Sequence, residues 1–248
     1  MNSPSDSELP APSVPSRRSF ILKAAGATAL LCVRGESAET TATAAAPNSG
    51  GGFEGVYQCF SPEEAEFAEA MVDHMCPPDE FTPGGVDCGL ATFIDRQLAG
   101  AYGQGDRLYL RGPFRTGLAE DGYQLPLTPS HYFKTGARAF DEACVLRLGS
   151  VFAQLNSTAK ESALSEIATG RWDEGTGFPL GAWFNELIYP LFTQACFSDP
   201  LYGGNHDKVF WRLLGYPGLP AVHSRDMVTY RGKSYPGART PRSMEDFA

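Results

Sequence analysis

Reactive side chains are scattered along this 248-residue chain rather than gathered. Its four histidines, His74, His131, His206 and His223, could hold a metal or move a proton, yet no two stand three or four residues apart, the spacing that shares a helical face. H-E-x-x-H is absent, and so is the repeated Glu-x-x-His of di-iron bundles. The densest cluster is "DHMC", where Asp73, His74 and Cys76 bring a carboxylate, an imidazole and a thiol together and with Cys88 could ligate a metal. A helix end followed by a core cysteine explains the same residues more simply. Nucleophile-elbow and dinucleotide-binding glycine patterns are missing, and "YGGNHDK" lacks the frame of a phosphate-cradling loop. Glu63, Glu64, Glu66 and Glu69 crowd one stretch, as acids do on a solvated helix N-terminus. Asn156-Ser157-Thr158 is formally a glycosylation triplet but reads as the link into a helix. This chain is equipped to fold rather than to catalyse, which points to a role that depends on a partner.

Of six cysteines, Cys59, Cys76, Cys88, Cys144 and Cys196 lie beyond the first 46 residues. C-x-x-C is absent, which excludes a zinc ribbon and covalent c-type haem. Cys76 and Cys88 flank a Pro/Gly loop and are the favoured disulfide pair in an oxidising compartment.

The elements that position these residues read as helices. Hydrophobic residues make up 42% of the chain and charged residues 20%, enough to bury a real core. A net charge of −9 argues against nucleic acid and against adhesion to anionic lipid. Ser61, Pro62 and Glu64 form a capping signature, and Ala68, Met71, Val72 and Met75 follow on one face. A second helix is expected over 86–101 and a long third over 130–155. The fourth opens on Thr158 and Glu161 as a capping box, and the fifth, over 180–195, is kinked by Pro190. A short sixth occupies 208–214. The irregular stretch 102–129 is expected to lie across a partner or the protein's own surface. No segment alternates convincingly as a strand. The expected fold is all-α: five to six helices in an irregular bundle with long loops, spanning 61–220, with an extended C-terminal tail over 221–248.

The first 46 residues have a different composition. A Pro/Ser-rich start, expected to be disordered, leads into "SRRSFILKAAGATALLCV". Arg17 and Arg18 stand together with Phe20 behind them, followed by an apolar run too short to span a bilayer. This is the order of a twin-arginine export signal, which carries folded proteins to the periplasm. Residues 47–60 form a glycine-containing linker.

One stretch is rich in both turns and aromatic rings: "FSDPLYGGNHDKVFWRLLGYPG", residues 197–218. Gly203-Gly204 can reverse the chain, and Asn205 or Asp207 can cap the helix that follows. Gly215 ends that helix and Pro217-Gly218 forces a second turn. Phe210, Trp211 and Tyr216 then cluster, as a self-packed corner or as an aromatic patch for a partner.

This stretch resembles the C-terminal signature of the gluconate 2-dehydrogenase subunit 3 family, with Asp199, Pro200, Tyr202, Gly203, Gly204, Asn205, Trp211, Gly215, Tyr216, Pro217 and Gly218 carrying the likeness. The twin-arginine leader, the "PGG" loop, "FID" at 93–95 and the Tyr132/Gly136 entry to the long helix agree in order. Cys196 and Pro190 depart from the family pattern. The resemblance implies a small subunit without cofactor of its own. Its partner would be an FAD-dependent dehydrogenase of the glucose–methanol–choline type, acting on gluconate, sorbitol, fructose, glucose or a similar substrate. A multi-haem cytochrome c often completes such complexes. The small subunit would carry its flavin-loaded partner through the twin-arginine translocase and stay at the inner membrane through the complex. The alternative is a stand-alone periplasmic binding or scaffold protein.

Overall fold

The capping box at Ser61 forms as its sequence requires: the Ser61 hydroxyl accepts the Glu64 amide at 3.3 Å, and the Glu64 carboxylate accepts the Ser61 amide at 2.9 Å. It starts α1 (Pro62–Met75). The computed structural model describes residues 57–247 except 107, 116 and 118–120. Arg17, Arg18, Phe20 and most of the linker lie outside the described residues. Among the described residues the regular elements are helical: α2 (Leu90–Ala99), α3 (Pro129–Leu148), α4 (Ser157–Ala168), α5 (Leu180–Trp183), α6 (Tyr189–Phe197), α7 (Val209–Leu214) and α8 (Ser224–Thr229).

Several boundaries differ from the sequence reading, each for a local reason. The second helix starts at Leu90 because 86–89 is a turn ending on Gly89 at φ +76°. The long third helix stops at Gly149, φ +81°, so Leu148 is exposed rather than core. Phe152 reaches the core from a separate 3-10 turn, Phe152–Gln154, fastened by its amide to the Asp141 carboxylate at 2.8 Å. Asn156, not Thr158, caps α4, its Oδ1 accepting the Ala159 amide at 2.9 Å. At Pro190 the chain widens into a π-helical turn, Phe184–Ile188, between α5 and α6. Proline offers no amide and its ring crowds the carbonyl four residues back, and a wider turn relieves both.

Phe67 of α1 is central to the core, with ring centroids 5.6 Å from Phe152, 6.1 Å from Phe140, 6.2 Å from Trp183 and 6.4 Å from Phe133. Trp183 packs flat enough on α3 that a Cβ at Gly136 would meet its indole at 2.2 Å, which explains the glycine one turn after Tyr132. Asp95 is 2% exposed and accepts the amides of Gln58, Cys59 and Phe60 at 2.7, 2.8 and 3.0 Å, so "FID" clamps the entry strand of chain to α2. Of the irregular stretch, the end nearest α3 lies on the protein's own surface: Tyr123 stacks on Tyr132 at 4.2 Å. The tail is not simply extended. It forms α8 and short 3-10 turns, and Pro241 and Ser243 are buried.

Candidate functional site

α6 ends on Phe197, whose carbonyl lacks an intrahelical partner as the last carbonyls of any helix do. The Trp211 indole supplies one, donating to it at 2.8 Å. Between these two residues the chain makes a tight loop. Asp199 opens a 3-10 turn, Pro200–Tyr202, accepting the Leu201 amide at 3.1 Å, and Gly203 reverses direction at φ +96°. Gly204 lies against α6 so closely that a Cβ would stand 2.5 Å from the Ala195 carbonyl. Asn205, fully buried at φ +49°, donates to the Ser198 carbonyl at 3.1 Å and accepts the Phe210 amide at 3.0 Å. Asn205 therefore serves the start of α7 from outside the helix, and Asp207 does not.

α7 ends at Gly215, φ +67°, and Tyr216 returns its amide to the Trp211 carbonyl at 2.8 Å. The Tyr216 ring meets the Trp211 ring edge-on at 5.2 Å. Pro217 accepts the Arg242 amide at 2.9 Å, and a Cβ at Gly218 would strike the Arg242 carbonyl at 2.0 Å. The tail is thereby built into the motif. Met244 donates its amide to Asp199 at 2.9 Å, and Lys208 binds both oxygens of Asp246 at 2.6 and 2.7 Å. The Lys208 ammonium, with the Ser243 amide, holds the Asp246 carboxyl below its usual range.

The sequence left the aromatic cluster undecided between brace and patch. Phe210 and Trp211, 6% and 5% exposed, are brace. The exposed apolar surface is aliphatic for the most part. Phe197, Leu201, Tyr202, Leu213, Leu214 and Met244 are 39–52% exposed. A groove of about 570 Å³ runs between Phe197, Leu214, Leu219 and Met244, floored by Trp211 and edged by Asp199. That volume is large enough for several side chains of a partner. Sequence reading named Asp199, Tyr202 and Trp211 but missed Leu201, Leu213, Leu214, Leu219 and Met244, although two leucines on a six-residue helix that buries only Phe210 and Trp211 were an available signal.

The remaining candidates are dispersed. The His74 imidazole pairs with Glu161 at 3.2 Å, and Asp73 accepts the Val86 amide at 2.8 Å. Among the described residues no group of three His, Cys, Asp or Glu is placed to hold a metal ion. Among the same residues no helix is long and apolar enough to cross a membrane. Cys76 and Cys88 are free thiols, buried side by side. Cys196 is also buried, which pushes its thiol well up.

The match of a family model, gluconate 2-dehydrogenase subunit 3, spans residues 62–218, from the first residue of α1 to the glycine lodged against the tail. The chain belongs to the gluconate 2-dehydrogenase subunit 3 family. No curated protein and no solved structure matches it. Membership makes the chain a subunit of a dehydrogenase complex, and the family's match closes on the loop whose hydrogen bonds shape the groove.

Proposed function

We propose that this chain is the non-catalytic small subunit of a periplasmic, FAD-dependent dehydrogenase complex held at the inner membrane, and that its motif surface docks the flavoprotein. The substrate is a sugar, sugar acid or polyol, oxidised on the large subunit, where the FAD resides. A multi-haem cytochrome c is the natural third member. Arg17, Arg18 and Phe20 supply the twin-arginine signal by which the small subunit escorts its folded partner outward.

One observation carries the docking role: an exposed apolar rim on a frame fixed from three directions, by α6, by α7 and by the tail. Apolar surface that a monomer leaves in water around a rigid groove marks an interaction site. Rigidity lowers the ordering cost of association.

The test is co-purification of the full-length protein from its native host, read by flavin absorbance and mass spectrometry. Wild type brings down a yellow flavoprotein. Leu214→Glu, at a half-exposed position, folds normally and loses it. A Lys-Lys replacement of Arg17-Arg18 strands both proteins in the cytoplasm. A colourless, solitary wild-type protein would overturn the proposal in favour of a stand-alone binding or scaffold protein.

A further inference from the structure

The Pro/Gly loop between α1 and α2 is closed by two cysteines. Cys76 is the C-cap of α1, and Cys88 immediately precedes Gly89, the N-cap of α2. Both thiols are buried, 4% and 1% exposed, and both point at one acceptor, the Pro83 carbonyl, at 3.9 and 3.6 Å. They also interact directly with each other. The backbone already draws their segments together: the Gly85 amide donates to the Cys76 carbonyl at 2.9 Å, and the Cys88 amide to the Gly84 carbonyl at 2.9 Å.

The far side of this loop touches the motif. The Cys88 carbonyl accepts the His206 amide at 3.1 Å, and the His206 ring donates from Nδ1 to the Asp87 carbonyl at 3.1 Å. A Cβ at Gly89 would fall 2.3 Å from the Gly203 carbonyl. The turn that carries Cys88 is therefore the seat on which the Gly203–Asn205 reversal rests.

We propose that Cys76 and Cys88 are a dithiol–disulfide site, oxidised by thiol–disulfide exchange, whose closure ties the end of α1 to the start of α2 and stiffens the seat of the motif loop. The oxidant is a small or protein disulfide. One cysteine thiolate attacks a sulfur of that disulfide and expels the other sulfur as thiolate. The second cysteine then attacks the mixed disulfide and expels the remaining one. Two electrons pass to the oxidant, which leaves as two thiols carrying the two cysteine protons. The interaction between the two thiols holds Cys76 below its usual range and raises Cys88, whose S–H is directed at the Pro83 carbonyl, so Cys76 is the first attacker.

The reduced full-length protein is equilibrated across a series of oxidised-to-reduced glutathione ratios, quenched in acid, alkylated and peptide-mapped. The expected result is a species lighter by two hydrogen atoms, with two fewer alkylated thiols and a single linked peptide joining Cys76 to Cys88. Amide exchange at Cys88 and His206 slows in the oxidised form. That difference vanishes in Cys88→Ser and survives in Cys196→Ala. A thiol count that stays constant across the whole series overturns the proposal. So does a linked peptide that contains Cys196, the third buried thiol nearby. These outcomes do not depend on whether a flavoprotein binds.

Discussion

Replacing Asn205 by alanine removes two things at once. Two hydrogen bonds disappear, leaving the Ser198 carbonyl and the Phe210 amide without their partner. At a fully buried position each costs about 1 kcal/mol, or more where the orphaned group finds no water. Alanine must also hold φ +49°, ψ +44°, which costs a further ~1 kcal/mol that asparagine largely avoids. The expected loss is about 3 kcal/mol. Asn205→Gly loses the same hydrogen bonds but sits easily in the left-handed region, so its loss should be smaller by about 1 kcal/mol. Urea unfolding followed by circular dichroism reads both. With a slope of about 2 kcal/mol per molar urea, the alanine midpoint falls by about 1.5 M and the glycine midpoint by about 1 M. The ordering matters more than either number. Alanine equal to or better than glycine would refute the backbone argument. Both variants within ~0.5 kcal/mol of wild type would refute the claim that Asn205 holds the loop.

Other outcomes follow from the same geometry. Gly136→Ala drives a methyl into the Trp183 indole, and overpacking of about 2 kcal/mol outweighs the ~1 kcal/mol gained in helix propensity, so calorimetry should show a lowered Tm. Asp95→Asn turns an amide donor toward three backbone donors and should cost about 2–4 kcal/mol, with faster amide exchange at Gln58, Cys59 and Phe60. Asp246 has a depressed carboxyl, so its grip on Lys208 is complete above the ordinary value of 3.8 and is lost as pH falls through the lower folded-state value. Exchange of the 241–247 amides should therefore accelerate only below about pH 4, whereas Asp246→Asn should show the acceleration at neutral pH.

Helical class was legible because periodic apolar residues, the Ser61 capping box and the absence of alternation all agree. The boundaries that escaped were set by single residues that compete with a continuing pattern. Gly149 ends α3 although Val151, Phe152 and Leu155 keep its spacing, and Asn156 takes the cap from Thr158. The motif was legible as turns and rings. Its exposed surface was not, since exposure at Leu214 and Met244 depends on a contact across 45 residues, between Asp199 and the tail, that periodicity does not encode. The tail read as extended for the same reason: its short turns hold because Arg242 and Met244 are anchored on Pro217 and Asp199. Asp95 was quoted as part of "FID" without a role, because its partners are backbone amides, which carry no sequence signal.

The π-helical turn before Pro190 works like a phase shifter. A helix is a screw, and one extra residue in a turn rotates everything beyond it by roughly 100°. The azimuth at which α6 delivers Phe197 and the motif loop is thus written in the number of residues between Phe184 and Ile188 as much as in their identity. A deletion there that kept Pro190 would bring its ring back against the carbonyl four residues earlier, so the length of this turn and Pro190 set the bearing of the groove together. Substitutions on the motif can roughen or charge this surface, but only a change in this turn, at Pro190 or in its length, can re-aim it.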